Sequence, residues 1–238
     1  MSLRFVLALS AALAAAAASS VPAAAMTAED LVAKNLEARG GLAKLRAIKT
    51  MHAVGTTRRE GGLDATIESW AIAPSRFRAE YSMQGMTSVR AWDGSQAWSI
   101  SPFGGRREPQ KISADDAKPL IERSDIAGPL VDYEAKGSTI EYLGTEDVDG
   151  TQAHKLRVTF KNGDTQYRYL DPDAFLEIRV VDHHTVRGQD DVSTTDLGEY
   201  EQVDGIYFPF EFGSNHFDKV ELNRPIDEAI FAFPGGAR

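Results

Sequence analysis

The sequence predicts a mainly β protein with helices: an open antiparallel half-barrel of about 11 strands, an N-terminal helix and a short helical lid. Three observations predict it. Apolar residues alternate with polar ones from about residue 50 to the C-terminus, and glycine turns punctuate the runs at short intervals. The alternating faces are rich in aromatics. One long interruption, Ser113 to Tyr133, carries helix signals instead. Alternation places each apolar set on one face of a sheet, and that face has to be covered.

The first 25 residues are expected to lie outside the fold. Arg4 precedes an apolar run from Phe5 to Ala18, and Ala23-Ala24-Ala25 closes it with small residues. That order matches a secretory signal peptide, and the run is shorter than the ~20 residues of a membrane span. Cleavage after Ala25 leaves 213 of the 238 residues, a size that suits one domain, 26–238. The leader carries one charge, Arg4, so the formal net charge of −9 becomes −10. An acidic surface argues against nucleic acid and anionic membrane as partners. The chain has no cysteine, which excludes disulfides, thiol nucleophiles and N-terminal lipidation on cysteine. A free monomer in a bacterial periplasm is the expected state.

Thr27 is a good N-cap, with Asp30 in the capping-box position. Leu31, Val32, Leu36, Leu42 and Leu45 follow at helical spacing through Ile48, and Gly40-Gly41 interrupts them. Strand signals then occupy roughly 49–59, 63–73, 76–84, 87–93 and 96–102, and resume from 138 to 221. Asp93-Gly94, Asp149-Gly150, Asn162-Gly163 and Asp204-Gly205 mark turns, since glycine accepts positive φ. Between the two strand groups, Ser113 with Asp115-Asp116 starts a helix, which Pro119, Gly128 and Pro129 limit. Leu120, Ile121 and Ile126 are its apolar residues and form the expected lid.

Signs of catalysis or metal binding are weak. His183-His184 is the most metal-like spot, but adjacent strand residues face opposite sides and cannot easily share an ion. Asp190-Asp191 reads as a loop. The sequence has no HExxH, GxSxG, P-loop, GxGxxG or EF-hand pattern. No cofactor, no metal and no enzymatic activity are expected. The aromatic faces carry more information. Phe77, Tyr81 and Met83 share a parity, as do Leu156, Val158 and Phe160, and Phe208, Phe210 and Phe212. With Trp98 and Tyr142 they are the candidate walls of an apolar cavity, because half-barrels of this length often hold an apolar ligand.

The segment Trp70…Pro74…Phe77, then Asp93-Gly94…Trp98…Pro102-Phe103, resembles the LolA family of periplasmic lipoprotein carriers. Its strands run W-x-x-x-P-x-x-F, D-G-x-x-x-W and N-P-F. The end, Asp227…Phe231-Ala232-Phe233-Pro234, resembles the family's closing F-x-F-x-P. The Ala28–Ile48 helix and the stretch from Leu143 to Leu156 are similar to a broader group of outer-membrane lipoprotein-sorting proteins. The resemblance implies a cavity that shelters acyl chains of a lipid or lipoprotein, with Phe77 at its mouth. It also implies an inner-membrane transporter as donor and an outer-membrane acceptor. Ala73 stands where the family has an arginine that holds the lid, so that latch is missing or rebuilt here. Two other readings compete with a carrier. One is a regulatory module that senses lipoproteins or docks on a transporter. The other is a hydrolase, which would show a buried polar cluster with shifted pKa values inside the cavity.

Overall fold

A computed structural model describes residues 26–58 and 64–235. The expected leader lies outside the described residues. The chain opens with helix α1 (Ala28–Ala38). Its capping box is complete: the Thr27 hydroxyl accepts from the Asp30 N–H, and the Asp30 carboxylate accepts from the Thr27 N–H. The helix stops at Gly40-Gly41, as the sequence predicts, and α2 (Leu42–Arg46) follows. Gly40 has φ +118°, and a Cβ there would collide with the Gly205 carbonyl. Only glycine fits this close approach of the helix end to the sheet. The Tyr207 N–H donates to the Arg39 carbonyl at 2.9 Å and fixes the same contact.

The sheet has thirteen antiparallel strands rather than about eleven. They are β1 (Thr50–Arg58), β2 (Asp64–Ile72), β3 (Arg76–Met83), β4 (Met86–Trp92), β5 (Ala97–Ser101), β6 (Arg106–Lys111), β7 (Thr139–Val148), β8 (Thr151–Thr159), β9 (Thr165–Leu170), β10 (Glu177–Val186), β11 (Gln189–Val203), β12 (Ile206–Phe212) and β13 (Asn215–Leu222). Their spatial order is β6-β5-β4-β3-β2-β1-β13-β12-β11-β10-β9-β8-β7, so two meanders join where β1 pairs with β13. The sheet is open, with edges at β6 and β7.

Two elements depart from the sequence prediction. Strand β6 reads Arg-Arg-Glu-Pro-Gln-Lys and has no apolar face, which suits an exposed edge and hides it from pattern reading. Strands β10 and β11 run past Asp190-Asp191, expected as a loop, to a two-residue turn at Arg187-Gly188. Both turn residues have positive φ, 53° and 78°.

The two sheet faces are covered differently. On the convex face, Arg78, Val89, Ala91 and Trp98 meet the C-terminal segment. The Trp98 Nε1 donates to the Phe231 carbonyl at 2.7 Å, the Phe233 ring packs edge-on at 6.3 Å, and the Arg78 guanidinium lies 5.3 Å from the Trp98 ring centre. On the concave face lie α1, α2 and α3 (Ala114–Arg123) with the loop that follows α3. There Leu31, Val32 and Leu36 share one apolar cluster with Leu156, Val158, Leu170 and Leu130.

Gly40→Ala tests the helix-to-sheet contact. Both the backbone conformation and the Gly205 collision oppose a Cβ, so the variant should lose about 2 kcal/mol or more in denaturant unfolding. Unchanged stability would mean the helix end is not seated on the β11–β12 turn.

Candidate functional site

The concave face is filled on one side and hollow on the other. Under α1, Leu156 and Val158 are fully buried and Phe210 is 6% exposed. These three, expected as cavity wall, are solid core. Between β1–β3 and β12–β13 there is instead a cavity of about 220 Å³. Met51, Ala53, Ile67, Phe77, Phe208 and Val220 line it, and Ile126 closes it from the loop after α3. Strand parity puts the Phe77, Ala53 and Ile67 side chains on one face, and the pairings Ala71↔Phe77 and Ala53↔Val220 bring the strands into line.

A second cavity of about 290 Å³ lies under α3 and is lined by Phe160, Gln166, Asp182 and His184. A wider polar pocket of about 750 Å³ opens beyond Tyr81. All three share Arg123 and Phe212. The two smaller spaces together reach the ~300–1,000 Å³ of ordinary ligand sites.

The other candidates divide as follows. Phe77 and Phe208 line the apolar cavity, Phe212 all three spaces, Phe160 the second and Tyr81 the polar pocket. Tyr142 packs at the rim of the core, its hydroxyl 2.9 Å from His154 Nδ1. Met83 is partly buried at the β3–β4 turn, apart from the cavity-lining residues. Trp98 does not face the cavity. It pairs with Ala91, which pairs with Arg78, so all three point to the convex side. In the lid, Leu120 and Ile126 point inward, but Ile121 is 40% exposed. One residue advances a helix by about 100°, so Leu120 and Ile121 cannot both face the core.

The sequence did not reveal that the cavity floor is charged. Arg39, Arg168 and Glu177 line it. Arg168 Nη1 donates to Glu177 Oε1 at 2.5 Å, and Arg39 Nη1 donates to the Ala127 carbonyl at 3.0 Å. Burial alone would raise the Glu177 carboxyl, but the charges of Arg168 and Arg39 outweigh it and hold it below the usual carboxylate range. Burial and the Glu177 charge push the Tyr200 phenol well up, and its hydroxyl donates to the Glu177 carbonyl at 2.8 Å. Arg39 therefore ties the segment after α3 to the first helix. The Ser124 hydroxyl, 3.3 Å from the Pro74 carbonyl, ties it to the β2–β3 turn.

The second cavity holds a polar cluster. His184 is 6% exposed, and its Nδ1 lies 3.5 Å from both Glu122 Oε1 and Asp164 Oδ2, without a hydrogen bond. Lys118 pairs with Asp164 at 3.1 Å, and Gln166 donates to Asp182. Glu122, Asp182 and His184 bring potential ligand atoms within 4.8 Å of one another and are the residues best placed to hold a cation. An exposed group, Glu199, Glu211 and His216, does the same at the surface. His183 points to the other face, edge-on to Tyr167, so the two adjacent histidines do separate. Burial raises the Glu122 carboxyl to about 7, opposed by His184 and reinforced by Asp182 and Asp164.

An open antiparallel half-barrel with helices on its concave face defines the fold class, and solved structures share it. A LolA superfamily protein from Nitrosomonas europaea superposes with a TM-score of 0.56 at 14% identity, covering 87% of this chain and 98% of that one. A DUF1329 family protein from Desulfovibrio piger superposes with a TM-score of 0.52 at 13% identity, covering 86% and 97%. The fold is LolA-like. No protein-family model matches the sequence, and no curated protein matches it either. Among the described residues, no helix is long and apolar enough to cross a membrane.

Two predictions test the lid. Arg39→Met should speed hydrogen exchange of the amides from 124 to 130 while the β8 amides stay protected, and should cost about 3 kcal/mol through the broken buried charge network. Equal protection of residues 124–130 would show that Arg39 does not hold the lid. Glu122 supplies the second test. Its folded pKa is raised, so its contribution to stability is full below pH 4.5 and is lost as pH rises through about 7. Glu122→Gln should remove that loss and gain on the order of 2 kcal/mol over the native chain between pH 4.5 and 7. Parallel stability-against-pH curves would contradict the burial of this carboxyl.

Proposed function

We propose that the chain is an exported periplasmic carrier that holds an acyl chain of a lipid or lipidated protein in the cavity between β1–β3 and β12–β13. The observation that carries this reading is the cavity itself. Apolar side chains of two separate meanders leave a hollow, and Ile126, on the loop after α3, closes it. Hiding an acyl chain from water is worth ~0.8 kcal/mol per CH₂, so even a half-sheltered tail would be held. The LolA-like fold supports the reading, as does the leader-like residue order at 1–25. On this reading the mature domain, 26–238, is a monomer that takes cargo from an inner-membrane donor and passes it toward the outer membrane.

A hydrolase is the second reading, and the cluster of Glu122, Asp182 and His184 favours it. A carboxyl near pKa 7 beside a buried imidazole is suited to general-base work. The carrier reading ranks above it because the cavity between β1–β3 and β12–β13 is walled mainly by apolar side chains, and because Lys118 and Gln166 already engage Asp164 and Asp182.

The carrier reading predicts that organic extracts of freshly purified protein contain lipid by mass spectrometry. Phe77→Glu should abolish loading, since it places a carboxylate among apolar walls. Clean native extracts, together with a failure to bind a hydrophobic dye, would defeat the proposal.

A further inference from the structure

We infer that the mouth of the cavity is a binding site for an anionic headgroup, formed by Arg90 and Arg123, so that the cargo is an acidic amphiphile. This rests on the carrier reading and names the class of molecule carried.

Arg90 lies on β4 opposite Ala79, on the concave face and one strand from the apolar wall. Arg123 is the last residue of α3, and its guanidinium is 5.8 Å from the Phe212 ring centre. Partial burial and then the charge of Arg123 lower the Arg90 pKa, against the opposing pull of Tyr81 and Asp116. Among the described residues, neither guanidinium has a carboxylate at ion-pair distance. The Asp116 carboxylate, whose charge acts on Arg90, is bonded to Arg187 at 2.6 Å and to the Ser113 hydroxyl at 2.7 Å, and Arg90 donates to the Asp116 backbone carbonyl at 3.1 Å.

The surroundings fit an oxyanion. The polar pocket of about 750 Å³ is lined by both arginines and by the hydroxyls of Thr57, Ser88, Thr194 and Ser214. Hydroxyls and guanidinium forks together match phosphate or carboxylate. The apolar cavity begins where this pocket ends, since Arg123, Phe212 and Asn215 line both. A tail directed past Phe77 would thus leave its headgroup between the arginines. The buried floor pair of Arg168 and Glu177 is matched within the protein, whereas no ion pair to Arg90 or Arg123 occurs among the described residues.

The test is displacement of a fluorescent hydrophobic probe from the mature chain, at low salt and below micelle formation. The competitors are palmitoyl lysophosphatidate, the uncharged monopalmitoyl glycerol and inorganic phosphate. The native chain should bind the acidic lipid at least about tenfold more tightly than the uncharged one, a difference of ~1.4 kcal/mol. The preference should shrink as salt is added. In Arg90→Gln/Arg123→Gln, whose cooperative thermal unfolding shows that it is folded, the preference for the acidic over the uncharged lipid should vanish. Equal affinity for the two lipids in the native chain, or a preference that survives the double substitution, overturns the headgroup site and leaves the carrier reading standing. Inorganic phosphate acting as strongly as the phosphorylated lipid would make this a free-anion site and also overturn it. Displacement by neither lipid overturns both proposals.

Discussion

Among the described residues, the apolar part of the concave face of a thirteen-stranded sheet has to be covered by three α-helices of 11, 5 and 10 residues, and they do not reach all of it. The rest of the structure follows from that shortfall. Where α1 lies, the face is sealed: Leu31, Val32 and Leu36 close on Leu156, Val158 and Leu170 with essentially no exposure. Where only the end of α3 and its loop lie, a hollow remains. A protein that needed only stability would fill it, because each unfilled methyl-sized void costs about 1 kcal/mol. A fold that keeps such a space beneath one loop is consistent with one that admits a guest.

The charged floor belongs to the same logic. Arg39, Arg168 and Glu177 are taken from water at a desolvation cost that hydrogen bonds only partly return. Such a network contributes direction more than stability. Arg39 spends one donor on the Ala127 carbonyl, which fixes where the lid segment sits relative to the first helix. The convex face is held independently by the C-terminal segment across Trp98.

Much of this was legible in the sequence, for reasons particular residues make clear. Strand parity identified the inward side of Phe77, Tyr81, Phe208 and Phe212, because a period of two is local and survives folding. The capping box at Thr27 and the break at Gly40-Gly41 are local in the same way. What failed depended on relations between elements. Trp98 looked like cavity wall because its face is set by pairing with Ala91, and a one-residue shift in register reverses every side chain. Ile121 looked like lid core because its neighbour Leu120 is. Leu156 and Val158 were correctly read as inward, but sequence could not show that α1 already occupies the space above them. The floor charges come from α1, β9 and β10, and no spacing rule unites them.

The central claim is that the space bounded by Ile67, Phe77, Phe208 and Val220 is open to a hydrocarbon tail. A crystal structure of the mature chain with a fatty acid brominated near its methyl end tests this most directly. The account predicts an anomalous bromine peak within that space, beneath Ile126. Anomalous signal only on the convex side beside Trp70, with those four side chains packed against one another, would contradict it.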